Sequence, residues 1–247
     1  MTLLTLVEWL ELGVFVALTG ASLAQWTRRR EEAAAWLAAT FALLGAILLA
    51  DRFIPLSVKV AGSWFDRVLI VDLALFPYCL YRFTSAFPGA GRRARRVAGW
   101  GTAVVAAAAL ALPSVPGGHP GSWPWWYATY VTVFLAGWTT LSFLSVARLW
   151  RSGRDQATVA RRRMRMLALA AMVLNLTIFL LANSNDHAWT GLLSGVLFLL
   201  GFAPPPALRA RWRRPEMEAF RRAEADLISA DSSERVTTLM LPHAAQL

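Results

Sequence analysis

The chain has 247 residues, 57% of them hydrophobic and only 16% charged, which is more apolar surface than the core of a soluble domain needs. Its formal charge of +10 would suit nucleic acid, yet almost every Arg lies in a short segment between apolar blocks or in the tail, and that distribution argues against a nucleic-acid partner. Cys79, the single cysteine, excludes an intramolecular disulfide and reads as a small hydrophobe within an apolar run.

Apolar blocks of roughly twenty residues, the length an α-helix needs to cross about 30 Å of hydrocarbon, recur along the chain. They run from Glu8 to Trp26, Ala33 to Ile54, Arg67 to Phe87, Val97 to Pro113, Trp125 to Trp150, Met164 to Asn183 and Trp189 to Ala203. The first lacks the basic n-region and small-residue cleavage site of a removable signal peptide, so it is expected to remain as a helix. The fold class expected is all-α: a polytopic membrane bundle of seven transmembrane helices over residues 1–203.

Orientation follows from the basic residues in the connections. Arg28, Arg29 and Arg30 follow the first block, Arg92, Arg93, Arg95 and Arg96 the third, and Arg151, Arg154, Arg161, Arg162, Arg163 and Arg165 the fifth. The alternate connections hold only Arg52, Lys59 and Arg67 in the second and no Lys or Arg in the fourth and sixth. The tail is basic again through Arg209, Arg211, Arg213 and Arg214. The alternation predicts an N-terminus outside, a C-terminus inside and a multi-pass protein of the cell membrane whose immediate partner is the lipid bilayer. Aromatic girdles fit this frame, with Trp64, Trp123, Trp125, Trp126, Tyr127 and Trp189 at the outer boundary and Trp26, Trp100, Trp150 and Trp212 at the inner one.

Gly191 and Gly195 form a small-xxx-small pair on the seventh helix, and the fourth helix is built largely of Ala; both permit close backbone approach where lipid supplies no hydrophobic drive. Pro204, Pro205 and Pro206 cannot continue a helix and end the seventh crossing. A cytoplasmic linker over residues 204–231 is expected to become helical at Pro215, placed in a first turn ahead of Glu216 and Glu218, and to reach about Ala230. Asp231 with Glu234 resembles a capping box, and Val236, Leu239, Met240 and Leu247 form an apolar stripe at helical spacing, so residues 232–247 read as the start of a cytoplasmic domain that continues elsewhere.

Ionisable groups within a bilayer are functional candidates by default. Asp72 lies about one and a half turns below the outer end of the third helix, and Pro77 five residues later frees the carbonyl of Leu73 and predicts a kink. Glu11 sits at comparable depth on the first helix with Glu8 one turn above on the same face. Were those two helices to adjoin, Asp72, Glu11 and Glu8 would line an acidic ligand or proton site open to the outside, with Arg67 and Arg52 to neutralise it; Asp72 reads equally as a structural ion pair or hydrogen bond, and Glu8 and Glu11 first as solvated interfacial charges. Arg82 is expected to snorkel at the inner end of its helix, and Asn175 to bond a neighbouring helix. His119 and His187 lack metal-ligand spacing, no cofactor is implied, and no HExxH, GxSxG or phosphate-cradling loop marks a catalytic site. His243 is followed by Ala244 rather than by the acidic residue typical of a phosphoacceptor histidine.

The string Leu200-Gly201-Phe202-Ala203-Pro204-Pro205, followed by Leu208-Arg209 and Trp212-Arg213-Arg214-Pro215-Glu216, resembles the junction in actinobacterial membrane sensor proteins that pair a seven-helix N-terminal region with a cytoplasmic GAF domain and a histidine kinase or related module. Ala230-Asp231 through Val236 and Leu241-Pro242 are similar to the start of that GAF domain. The resemblance covers the chain in topology and the last fifty residues or so in motif. It implies a sensory input domain of a sensor histidine kinase, a homodimer through the cytoplasmic region, and a response regulator as partner of the kinase module. The linker Trp212, Pro215, Phe220 and Leu227 would then transmit the signal, while no ligand-binding residue carries over. The competing expectation is a small transporter or channel in which Asp72 and Glu11 handle protons or cations, although no internal repeat of the transporter kind is visible.

Overall fold

In the computed structural model, the structure describes residues 3–54, 64–87, 91–113, 115–116, 122–154, 158–181 and 188–228. Their regular structure is all helical, with no strand among the described residues: α1 (Leu3–Arg29), α2 (Glu32–Phe53), α3 (Trp64–Thr84), α4 (Arg92–Ala111), α5 (Trp125–Ser152), α6 (Thr158–Leu181), α7 (Ala188–Phe202) and α8 (Pro206–Ile228). Three of the helices are long and apolar enough to cross a membrane, Thr5–Arg28, Glu32–Ala50 and Trp125–Ser152, and α7 with α8 forms a fourth such pair bent by 58°. The capping box at Asp231, the stripe beyond it, His119 and His187 lie outside the described residues.

Helix edges extend past the apolar blocks. α4 begins at Arg92 rather than Val97, and α6 at Thr158 rather than Met164, so most of the arginines expected in connectors stand on helix ends. The reason is that an Arg run is a good helix former, and nothing at Arg93 to Arg96 or Arg161 to Arg163 breaks the backbone hydrogen bonding of the apolar segment that follows.

Packing is a closed circuit with one outlier. α1 packs on α2, α2 on α3, α3 on α5, α5 on α6, α6 on α7, and α7 returns to α1. α4 lies outside this ring against α3 and α5. The core follows the same division: Phe15 and Leu18 of α1, Leu37 and Phe41 of α2, Phe76 and Leu80 of α3, Trp138 of α5, Leu167 and Ala171 of α6 and Phe198 of α7 meet inside it, and α4 contributes no side chain. Outward, the helices expose large apolar groups such as Leu10, Val16, Leu49, Val133, Phe143, Leu176 and Leu193, where a water-soluble bundle would present a polar face.

Glycines set the tightest contacts. A Cβ at Gly195 would come within 3.0 Å of Val14 Cγ1 and one at Gly191 would meet Glu11, so the small-xxx-small pair of α7 packs against α1, while a Cβ at Gly201 would come within 2.9 Å of Leu167 Cδ2 on α6. The Ala-rich α4 makes no comparable seam; only Thr102 and Ala109 of its residues are buried. α3 runs unbroken through a buried Pro77.

The exit from the bundle departs from expectation. α8 starts at Pro206, and Pro215 falls inside it instead of opening it. Pro206 fits a first-turn position because its missing N–H has no partner to lose there. Pro215 is tolerated because the helix is anchored on both sides of it: Trp212 is buried, and Glu216 accepts a hydrogen bond from the Thr158 N–H at the start of α6, 2.6 Å away.

Candidate functional site

The acidic pocket expected at the outer end is divided. α2 stands between α1 and α3, so Glu11 and Asp72 occupy helices that do not pack together. Glu8 forms an exposed ion pair with Arg52 at 3.4 Å, and the Arg52 guanidinium lies 4.8 Å from the centroid of Trp9, whose ring meets Phe53 edge-on. Glu11, half-buried one turn further in, turns toward α7: its carboxylate occupies the space that a Cβ on Gly191 would fill. Only glycine at 191 leaves room for that carboxylate between the two helices.

Arg67 forms no ion pair with a carboxylate among the described residues. Its guanidinium donates to the carbonyls of Pro113 at 3.1 Å and Leu110 at 3.5 Å, at the C-terminal end of α4, where a helix leaves carbonyls without partners and carries partial negative charge. Asp72, half-buried on α3, has no hydrogen bond or ion pair among the described residues. Asn175 bonds its own helix, donating to the Ala171 carbonyl at 2.7 Å, and its buried Oδ1 has no partner among the described residues. The amide therefore bonds within α6 where an interhelical contact was expected.

The opposite end of the bundle carries a denser polar arrangement. Arg82 donates to Glu32 Oε1 at 2.6 Å and stacks 4.6 Å from the centroid of Trp36, and the Trp36 indole donates to the same Glu32 oxygen at 3.1 Å. The Trp36 hydrogen bond and the Arg82 guanidinium hold the exposed Glu32 carboxyl below its ordinary range. The expected snorkelling arginine is thus tethered across α2 and α3. Arg148 of α5 reaches Ser85 Oγ at 3.3 Å and lies over the buried Tyr81 ring at 4.6 Å. Spacing of Glu32 and Trp36 by four residues signals the first of these contacts; the second has no local signature, because its partners are 63 residues apart.

The junction of α6, α7 and α8 is the third polar site. Arg163 donates from Nε to the Gly201 carbonyl at 3.0 Å and from Nη2 to the Phe202 carbonyl at 2.8 Å, closing the end of α7. With the Glu216 contact to Thr158, α6 is bonded both to the last turn of α7 and to α8. Among the linker residues singled out, Trp212 is 6% exposed and buried, whereas Phe220 is 67% exposed. Pro215 and Leu227 lie within α8. Of the aromatics expected at an inner girdle, Trp212 is buried while Trp100 and Trp150 are exposed; of those expected at an outer one, Trp64, Trp125 and Trp189 are exposed and Tyr127 is buried.

Comparison with known proteins returns no match: no family model, no curated protein and no solved structure is similar to this chain.

Proposed function

We propose that the chain is the membrane-embedded input domain of a signalling receptor of the sensor histidine kinase type, crossing the bilayer seven times with its N-terminus outside and α8 in the cytoplasm. The observation that carries this reading is the bonded junction of α6, α7 and α8. A helix bonded to α6, which is itself bonded to the last turn of α7, and otherwise exposed and charged, is a relay: a change in the packing of α6 against α7 moves Arg163, which holds the end of α7 that leads into α8, and Thr158, which holds Glu216 within α8. The alternation of Arg-rich ends and the apolar exterior support the seven crossings. Exposed Met217 and Phe220, three residues apart on α8, supply an apolar face on which two copies pair in the cytoplasm. A stimulus acts by binding two helix arrangements unequally.

Asp72 favours a second reading, transport of protons or cations, since a half-buried carboxylate with no partner among the described residues is a candidate ion site. That reading has one such carboxylate where a conducting path needs several, because Glu11 is turned to α7.

Fusing residues 1–230 to a histidine-kinase catalytic module and inserting one to four alanines after Arg222 tests the relay. Autophosphorylation should rise and fall with the period of about 3.6 residues set by helix geometry. A response that is flat or falls steadily with insertion length removes α8 from signalling. Cysteines placed beyond Arg214 in a Cys79→Ala background should resist impermeant maleimides in intact cells, and labelling there would overturn the topology.

A further inference from the structure

Between α3 and the first turns of α4, a cleft of about 560 Å³ opens at the inner end of the bundle. Arg82, Arg92, Arg95 and Arg96 form its walls with Tyr78 and Trp100. No acidic residue lies among the described residues that line it, and the Glu32 carboxylate beside Arg82 is already engaged by Arg82 and Trp36. Four arginines from two helices therefore line one space. The first turn of α4 adds the positive end of its helix dipole, has no acidic residue and has no side-chain cap at Gly91. Gly99 gives the cleft its floor: a Cβ there would lie 3.2 Å from the Tyr78 hydroxyl, so its absence lets α4 close on the phenol, which is held edge-on against Trp36.

Arginine forks match the oxygens of a phosphate in a way that a solvated charge run does not require. The chemistry beside the cleft selects among phosphates. Val97, Trp100 and Val104 are all exposed and lie on one face of α4, an apolar track leading away from the guanidinium groups along the helix. A free phosphate uses no such track, whereas a phospholipid uses both.

We propose that this cleft binds a phosphate-bearing anion, held as the headgroup of an anionic phospholipid: Arg82, Arg92, Arg95 and Arg96 take the phosphate oxygens, and the Val97, Trp100 and Val104 face takes an acyl chain. Because α4 places nothing in the core, a phosphate shared by Arg82 of α3 and Arg95 of α4 also fastens the outlying helix to the ring. Only the lipid source rests on the membrane reading given above.

The full chain in phosphatidylcholine nanodiscs doped with phosphatidylglycerol, ejected into a native mass spectrometer, reports retained anionic lipid directly. Arg95→Gln with Arg96→Gln should lower retention about tenfold, since two charge-assisted forks are lost. Arg95→Lys with Arg96→Lys, which keeps the charge and loses the fork, should fall between. Arg151→Gln with Arg154→Gln, at the same end of the bundle but outside the cleft, should leave retention unchanged. Equal loss in the two Gln pairs, or loss in neither, overturns the lipid assignment. A second arm needs no bilayer: calorimetric titration of the detergent-solubilised chain with inorganic phosphate. Saturable heat that vanishes in Arg95→Gln with Arg96→Gln, without selective lipid retention, assigns the cleft to a soluble phosphate; no heat and no selective retention overturn the proposal. A chain that fails to enter nanodiscs refutes the membrane reading, and the phosphate titration still decides the cleft.

Discussion

α7 and α4 solve the same problem in opposite ways. Both carry small residues at several positions, and both must be held against neighbouring helices. α7 is fitted by close approach: Gly191 makes room for the Glu11 carboxylate, Gly195 for Val14 and Phe15, Gly201 for Leu167, and Arg163 closes its end. α4 touches α3 and α5 but is held at points, by Arg67 on its final carbonyls and by the Tyr130 hydroxyl donating to the Val105 carbonyl at 3.3 Å. Small residues therefore permit intimate packing without causing it; a partner must offer the complementary shape.

Breaking the α7 side should cost most. Arg163→Met removes both donors from the Gly201 and Phe202 carbonyls in a part-buried site and should lower stability by about 3 kcal/mol, as expected when charged donors leave acceptors unpaired. Reversible unfolding in mixed micelles measures it, and a change within error would show that water replaces the guanidinium. Gly191→Ala should cost about 2 kcal/mol, because the new methyl displaces Glu11. Gly101→Ala on α4 has the reverse sign: nothing lies within 4 Å of its Cβ position, so the helix should gain somewhat less than about 1 kcal/mol. Equal effects at both glycines would erase the distinction between the two helices.

Much of this architecture is legible from the amino-acid pattern, and the limits have physical causes. Helix existence follows from long apolar blocks, and the chain break after α7 from three successive prolines. Gly191 and Gly195 announce a packing face, although only the fold specifies α1 as its occupant. The candidate pocket is less legible. Depth along a helix places Glu11 and Asp72 at one level, but neighbour relations around a bundle are not encoded in depth, and α2 separates them. The arginines mislead in a related manner. Counted by position they report sidedness alone, whereas Arg67 and Arg163 cap helices, Arg82 binds Glu32 and Arg95 lines a cleft. A guanidinium has enough reach to choose among such roles only after its neighbours are in place.

On the α4 side the Arg67 ties are exposed and their loss should be milder. Arg67→Met removes donors from the Leu110 and Pro113 carbonyls and should destabilise by about 1 kcal/mol or less, in keeping with solvated charged contacts. The more telling readout is local: amide hydrogen exchange in the last turn of α4 should quicken while that of α7 stays slow. Quickening in both helices would mean that α4 is part of the cooperative ring.

The smallest effect concerns the edge of the cleft, where Glu32 joins α2 to α3. Hydrogen bonding to Trp36, then to Arg82, lowers the Glu32 carboxyl from its ordinary 4.5, so the folded chain holds the charged form more firmly than the unfolded chain does. A lowered value contributes stability above the unfolded pKa and loses it as pH falls through the folded one. The contribution is therefore complete at neutral pH and fades below 4.5. Wild type should melt above Glu32→Gln at a pH of about 6, and the gap should narrow as the pH is taken well below 4.5 and the carboxylate takes up its proton. The same loss of charge frees Arg82 from its counter-ion, so in anionic nanodiscs the acid shift should be smaller than in neutral ones: a headgroup phosphate remains ionised there and can take the place of Glu32 beside Arg82. An identical shift in both lipids would leave Glu32 as the sole partner of Arg82 and separate the ion pair from the cleft beside it.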